Sequence, residues 1–232
     1  MDRRPALGCL KEIVETLVLT LVIFLVIQNF VAQPYEVRQN SMETTLEPHQ
    51  YVLVDKLTPR FDEYKRGDII VFNPPASWER EDNTPFIKRV IGLPGDTVEI
   101  RPDRFVYVNG RKIDEPYIYA QPVGQPDDTE PQTDQTTWHV GADELFVLGD
   151  HRSRSADSRS FGVIRHTDVI GRAFLRYWPL PTFSVLQTPV YAAVPPGASV
   201  TAGPAASPTD SSSASSGDPA SDPGLASPVP SG

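Results

Sequence analysis

Two hydrophobic patterns divide this chain. Residues 16–35 form one continuous uncharged stretch, TLVLTLVIFLVIQNFVAQPY, and an α-helix of that length rises by about 30 Å, the thickness of the hydrocarbon core of a bilayer. Three basic residues precede the stretch near the N-terminus, and an excess of positive charge on this side predicts that residues 1–15 stay in the cytosol. The pattern therefore predicts a single-pass transmembrane helix, with the rest of the chain outside the cytoplasmic membrane.

A cleaved secretory signal would also begin with basic residues followed by an apolar run. Cleavage after Ala32 would leave the bulky Phe30 at position −3, where a small residue is expected, and the apolar run is long for a signal. The sequence therefore favours a retained anchor in the lipid bilayer over a cleaved signal.

From Glu36 to Trp178 the pattern changes to short apolar runs separated by turn residues. The runs are YVLV, DIIVF, FIKRVIGL, TVEI, FVYV, ELFVLGD and AFLRYW. β-Branched and aromatic residues bounded by Gly, Pro, Asn and Asp are typical of strands, and Asn109-Gly110 predicts a type I′ hairpin turn. We expect a mostly β domain over residues 36–188, built as an antiparallel, barrel-like sheet.

Two polar segments differ from this pattern. Residues 121–137, QPVGQPDDTEPQTDQTT, predict a surface loop between strands that carries no chemistry. Beyond Pro195 the chain consists almost entirely of Ala, Gly, Pro, Ser and Thr, which cannot bury enough apolar surface to offset the entropy of ordering. Residues 189–232 are therefore predicted to be a disordered tail.

Composition narrows the classes of function. The net charge of −9 without a basic patch argues against nucleic acid as a partner. Cys9 is the single cysteine, so the sequence offers neither an intrachain disulfide nor a CxxC metal pair. We expect no metal and no cofactor.

Three patches carry residues that can do chemistry. They are NSMETTL at 40–46, FIKRVIGLPGD at 86–96 and GDHRSRSADSRSFG at 149–162. On an edge strand Lys88 would point to water, whereas burial would lower the pKa of its amine and favour the neutral form, which can act as a general base. The third patch is itself consistent with a charged loop held by pairs of arginine and carboxylate.

Ser41 becomes a candidate nucleophile only if a base reaches it. Lys88 would give a Ser-Lys pair, and His151 with Asp150 would give a Ser-His-Asp triad. Adjacent Asp and His side chains diverge along a strand, but sequence spacing alone does not decide between the two bases.

Taken together, the three patches resemble the type I signal peptidases, or leader peptidases, which are membrane-anchored Ser-Lys serine proteases. NSMETTL resembles the serine motif of that family, KRVIGLPGD the lysine motif and GDHRSRSADSRSFG the third motif. The resemblance runs from the apolar stretch to about Trp178 and omits the tail. All three patches in this order, after one N-terminal anchor, make the resemblance highly specific.

The resemblance implies a role for several residues. It implies that Ser41 is the nucleophile, that Lys88 is the general base and that Ser155 orients the lysine amine. It further implies that Asp157 and Arg159 form a supporting ion pair. The remaining residues that it assigns are Met42, which would line the substrate cleft, and the backbone N–H of Ser41, which would form part of the oxyanion hole.

The chain departs from the family pattern in three places, the first of which is Gln39-Asn40 where many members have Ser-Gly. Gln39 stands where many members have a serine whose hydroxyl completes the oxyanion hole, so we expect the Gln39 amide to be a second donor there. Thr44 replaces a proline, and His151 replaces an asparagine.

The function implied is an endopeptidase that removes signal peptides from secretory precursor proteins outside the cytoplasmic membrane. A self-cleaving regulator of the related Ser-Lys repressor type would need a DNA-binding module, for which the first fifteen residues leave no room. The alternative from another class is a membrane-anchored β domain that binds partners without catalysis, with the tail as a spacer.

Overall fold

The structure is a computed structural model that describes residues 4–26, 31–57, 63–78, 84–120, 124–191 and 194. It contains an N-terminal helix, α1 (Arg4–Val26), a single helical turn, α2 (Ser158–Phe161), and twelve strands within the described ranges. The strands are β1 (Ala32–Glu36), β2 (Tyr51–Asp55), β3 (Ile69–Phe72), β4 (Phe86–Gly92), β5 (Thr97–Ile100), β6 (Val106–Val108), β7 (Arg111–Lys112), β8 (Thr137–His139), β9 (Glu144–Leu148), β10 (Ile164–Arg165), β11 (Val169–Trp178) and β12 (Ser184–Val185).

The strands form two antiparallel sheets. The larger sheet has the order β1-β2-β11-β3-β4-β9-β10, with β12 paired to β11, and the smaller has the order β7-β6-β5-β8. The predicted mostly β, antiparallel fold is confirmed. Within the described residues the strand pairing does not join β1 to β10, so the larger sheet is open rather than a closed barrel.

Each of the seven apolar runs singled out in the sequence contains a strand, β2, β3, β4, β5, β6, β9 and β11. The hairpin between β6 and β7 is also confirmed, because Asn109 and Gly110 both have positive φ, 51° and 78°. That geometry is the one that a type I′ turn requires.

The N-terminal helix differs in position from the predicted span, 16–35. Helix α1 begins at Arg4 and ends at Val26, and residues 27–30 lie outside the described residues. The end of the predicted span is a strand, since Ala32 pairs with Asp55 and Tyr35 with Val52 across β1 and β2. Among the residues that the structure describes, no helix combines the length and the apolar character needed to cross a membrane.

The core lies on both faces of the central strands. On β3, Ile69 and Val71 pack into one hydrophobic cluster, whereas Ile70 and Phe72 pack into another on the opposite face. Successive side chains of a strand point to opposite faces, and a strand buried on both faces therefore reads as the continuous apolar run IIVF. The third cluster joins the smaller sheet to β4 and β9 through residues such as Val98.

The C-terminal part of the described chain packs back on the domain. Thr188 Oγ1 donates a hydrogen bond to Asp68 Oδ1 at 2.7 Å, and the hydroxyl groups of Tyr191 and Tyr117 are 2.9 Å apart. Val194 also contacts a core cluster. The rest of the predicted disordered tail, 189–232, lies outside the described residues.

Candidate active site

Lys88 lies in the interior of the larger sheet. Its strand, β4, pairs with β3 on one side and β9 on the other, and the lysine shares a face with the buried Phe86 and Val90. The residue has 0% of its surface exposed. The alternative in which Lys88 points to water from an edge strand is therefore wrong.

Ser41 meets the lysine from a separate segment. A 3₁₀ turn, Asn40–Met42, carries the serine with 2% exposure, and Lys88 Nζ lies 2.5 Å from Ser41 Oγ. The two groups are 47 positions apart in sequence. The fold thus brings a buried hydroxyl and a buried amine within hydrogen-bond distance.

The third patch packs directly against the serine turn. The backbone N–H of His151 donates to the carbonyl oxygen of Ser41 at 3.0 Å. Gly149 makes this approach feasible, because a Cβ at that position would overlap Ser155 Oγ and would lie 2.5 Å from the Ser41 carbonyl oxygen. A glycine is required at position 149 by both neighbours.

Asp157 and Arg159 form a buried ion pair. Arg159 Nε donates to Asp157 Oδ1 and Nη2 donates to Oδ2, each at 2.9 Å, and the N–H of Gly149 donates to Oδ2 at 3.0 Å. Burial alone would raise the pKa of Asp157, but the Arg159 guanidinium and these hydrogen bonds hold its pKa below the ordinary value. The pair thereby fixes Gly149 beside Ser41.

Ser155 lies in the same loop with 3% exposure. Its hydroxyl contributes to the lowered pKa of Asp157, yet it forms no hydrogen bond of ordinary geometry within the described residues. The role of Ser155 in orienting the Lys88 amine stays a prediction.

Asp150 and His151 do not assemble a Ser-His-Asp triad. Arg89 donates to both oxygens of Asp150, at 2.8 and 2.6 Å, and Thr45 Oγ1 donates to Oδ2 at 2.6 Å. The ring of His151 instead faces Glu43, with 2.7 Å between His151 Nδ1 and Glu43 Oε2. Of the two candidate bases, only Lys88 is brought to Ser41.

A groove of ≈ 340 Å³ begins beside the pair. Its lining includes Gln39, two positions before Ser41, and Ile87, one position before Lys88. The full lining consists of Pro34, Tyr35, Glu36, Val37, Arg38, Gln39, Val52, Val71, Thr84, Pro85, Phe86 and Ile87. The groove is thus walled by the 34–39 segment and the start of β4, two extended stretches with an apolar floor between them.

The structure separates two residues that were predicted to face the cleft. Gln39 lines the groove and is exposed, and its side chain makes no capping hydrogen bond to the turn that it precedes. Met42 has 0% exposure, packs with Leu46 in a core cluster and is absent from the groove lining. The turn directs Met42 inward, so its side chain contributes to the core and not to the cleft.

The loop at residues 121–137, which was predicted to carry no chemistry, forms hydrogen bonds to the third patch, residues 149–162. Gln132 Nε2 donates to the carbonyl oxygen of Ser155 at 2.7 Å, and Asp127 Oδ2 accepts from the N–H of Ser153 at 2.7 Å. Asp127 is 4% exposed. Sequence reasoning missed these residues because Asp and Gln in a proline-rich stretch look the same whether they face water or another loop.

The chain is similar to known proteins over most of its length. The family described as "Signal peptidase, peptidase S26" matches residues 10–178, well over half of the chain. The chain belongs to the signal peptidase family. Membership of the family indicates a serine peptidase that processes signal peptides.

Two curated relatives match most of the length of this signal peptidase, and one solved structure matches about half of it. Signal peptidase I of Leptolyngbya laminosa is 38% identical over 186 residues, which span 78% of this chain and 85% of that protein. Signal peptidase I S of Bacillus subtilis (strain 168) is 36% identical over 171 residues, 72% of this chain and 89% of that protein. A crystal structure of a signal peptidase I from Enterococcus faecalis V583 is 34% identical and covers 48% of this chain and 97% of its own, with a TM-score of 0.36.

Replacing Asp157 in this signal peptidase should destabilise the fold. Asp157→Asn keeps the size of the side chain but leaves the Arg159 guanidinium buried without its carboxylate, which typically costs about 3–5 kcal/mol. Because the folded pKa is lowered, the stabilisation is complete above the unfolded pKa of about 3.9 and is lost as pH falls through the folded pKa. Urea unfolding at pH 7 measures the first effect, and a smaller difference between wild type and variant at a pH below about 3.9 measures the second.

The matched control for this prediction is Glu99→Gln, which removes a carboxylate that pairs with Arg101 at 2.6 Å on the surface. Solvent screens such exposed pairs, so we expect unfolding of this variant to match the wild type. An Asp157→Asn protein as stable at pH 7 as the Glu99→Gln protein would contradict the structural role of the buried pair.

Proposed function

We propose that this chain is a membrane-anchored endopeptidase that cleaves signal peptides from secretory precursor proteins by a Ser-Lys mechanism. The observation that carries the proposal is the 2.5 Å separation of Lys88 Nζ and Ser41 Oγ in a buried site. A buried amine disfavours its charged form, and the neutral amine is the form that can accept the hydroxyl proton. A non-catalytic binding domain would have no need for this pair.

The groove beside the pair suits an extended peptide. Its two walls are extended segments, and Val52 and Val71 line the apolar floor between them. A bound peptide can hydrogen-bond to such walls in the manner of an added strand while its alternate side chains enter the floor. The substrate is thus a stretch of a precursor protein that binds in an extended conformation.

The chemistry follows from the two groups. Ser41 Oγ attacks the carbonyl carbon of the scissile peptide bond, and Lys88 takes the hydroxyl proton. Lys88 then protonates the departing amine, which leaves an ester of Ser41. Water, deprotonated by Lys88, attacks that ester and releases the new carboxylate. As the ester breaks, Lys88 gives the proton taken from water to Ser41 Oγ, so each half of the reaction ends with the lysine amine neutral again.

The oxyanion of the tetrahedral intermediate needs hydrogen-bond donors. We assign the backbone N–H of Ser41 as the first donor and the side-chain amide of Gln39 as the second. Gln39 lines the groove, and a glutamine amide carries two N–H groups. Ser155 and the Asp157–Arg159 pair support the site from the facing loop, with Ser155 orienting the lysine amine.

The surface of helix α1 supports the membrane location in this proposal. Ten large apolar side chains between Ile13 and Leu25 are exposed, and an exposed apolar surface of this size marks a site of interaction. Helix α1 as described does not itself meet the length and apolar character of a membrane span, but the uncharged stretch of residues 16–35 begins within it, and we therefore assign this part of the chain to the cytoplasmic membrane as a single-pass anchor with the N-terminus in the cytosol. The full chain should stay with membranes after carbonate washing while a chain starting at Val31 is released; equal release of both would contradict the anchor.

Ser41→Ala and Lys88→Ala should each abolish cleavage of a precursor peptide. A nucleophile and its base act as one unit, so the double variant should be no slower than either single variant. Peptide cleavage followed by mass spectrometry measures the rates. Lys112→Ala, which removes an exposed lysine from β7, is the control and should cleave at the wild-type rate.

A Lys88→Ala enzyme with near-normal turnover would contradict the Ser-Lys assignment. An intact peptide after incubation with the wild-type protein would instead favour the non-catalytic binding domain.

Gln39→Ala tests the second oxyanion donor. Removal of one such donor typically lowers kcat by ~10²–10³, and KM should change little because the hydrogen bond strengthens only in the transition state. Gln39→Ser, which restores a hydroxyl, should recover part of the rate. Steady-state kinetics on the same precursor peptide give both constants, and a wild-type kcat for Gln39→Ala would remove Gln39 from the mechanism without affecting the Ser41–Lys88 pair.

A further inference from the structure

The carboxylate of Glu43 is bound on both of its oxygens. Asn40 Nδ2 donates to Oε1 at 2.7 Å, and His151 Nδ1 lies 2.7 Å from Oε2. Asn40 directly precedes Ser41 in the turn, whereas His151 belongs to the facing loop. The carboxylate therefore joins the two segments on either side of the Ser41 backbone.

His151 holds the serine turn a second time through its main chain. Its N–H donates to the Ser41 carbonyl oxygen at 3.0 Å. The imidazole is itself fixed, since it stacks on the ring of Tyr119 with 3.9 Å between centroids and 9° between planes. Only 5% of the His151 side chain is exposed. A ring held in this way has little rotational freedom with which to follow a moving partner.

These contacts lie outside the hydrophobic clusters and the strand ladders. Glu43 keeps 21% of its side chain exposed, so its loss need not unfold the domain. The two hydrogen bonds of Glu43 join its carboxylate to Asn40 and His151 and constrain the turn that carries Ser41. A carboxylate acceptor makes such bonds stronger than those between neutral groups.

We propose that Glu43 and His151 are positioning residues that hold the Ser41 turn at its reactive distance from Lys88. This inference rests on the proposed Ser-Lys function. Because a carboxylate only accepts hydrogen bonds, the tautomer of His151 with a proton on Nδ1 donates the hydrogen bond to Glu43 Oε2, and Glu43 in turn holds Asn40. A displacement of a reacting group by about 1 Å can cost ~10²-fold in rate, which gives the two residues leverage without contact to substrate.

Alanine variants test the proposal. Glu43→Ala and His151→Ala should each lower kcat by ~10–10² with KM changed less than about threefold, because positioning acts on the chemical step. The double variant should fall no further than the worse single variant, since the two residues form one connection. Kinetics on a precursor peptide with the full chain measure these effects.

Conservative variants separate positioning from folding. The amide of His151→Asn can donate from nearly the position of Nδ1, so this variant should recover most of the rate. Glu43→Gln has one acceptor oxygen where the carboxylate has two, so it keeps one of the two hydrogen bonds and should recover part of the rate. His166→Ala is the matched control, because it removes a histidine whose Nδ1 lies 3.3 Å from Asp143 outside the three patches. Its kcat should equal that of the wild type.

Hydrogen exchange of backbone amides tests whether Glu43 and His151 hold the turn, independently of any measurement of activity. Backbone amides of residues 39–46 should exchange about tenfold faster in both alanine variants than in the wild type, because the turn opens more often. Unchanged exchange, or alanine variants with wild-type kcat, would overturn the proposal while leaving Ser41 and Lys88 in place. A wild-type chain that leaves the peptide intact would refute the proposed function, and the exchange rates would still decide whether Glu43 and His151 hold the turn.

Discussion

The complete burial of Lys88 is the constraint on which the described site depends. Its amine lies within the larger sheet, between two hydrophobic neighbours on the same face of β4, and has no exposed surface. An ammonium ion without compensation is costly in such surroundings, whereas a neutral amine is not. Ser41 supplies a polar partner at 2.5 Å. Sheet packing thereby keeps a basic nitrogen next to a hydroxyl.

That arrangement requires rigid surroundings, and paired charges provide them. Three buried arginines close to the serine turn each bind a carboxylate. The pairs are Arg89–Asp150, Arg152–Glu115 and Arg159–Asp157. A buried pair contributes little net stability compared with apolar packing, but the loss of one partner is expensive. Such pairs restrict the loops to one geometry. A nucleophile and its base need this because they react only when they are held at the correct distance and orientation.

Much of this architecture could be predicted from sequence because local chemistry dictates it. Short apolar runs of β-branched residues form strands, and Asn109-Gly110 forms its hairpin, since the determinants lie within a few residues. The three polar patches could also be recognised as one site from their order in the chain. Strand β1 was missed because AQPYE lacks an apolar alternation, and its pairing with β2 decides its conformation.

The remaining features depend on partners that are distant in sequence. Nothing local tells that Met42 turns into the core, or that Gln132 and Asp127 reach the third patch across a loop rich in proline. The same holds for the contact between Glu43 and His151, which are 108 positions apart. A side chain of this kind has several acceptable environments, and only the assembled fold selects one.

The central claim is that a neutral lysine amine activates the serine. The pH dependence of kcat/KM for a precursor peptide tests this claim most directly, because it reports the ionisation of groups in the free enzyme. We expect kcat/KM to fall tenfold per pH unit on the acid side, governed by one amine with a pKa below the ordinary lysine value of about 10.4. A rate that stays constant down to about pH 4, where carboxyl groups begin to titrate, would contradict it.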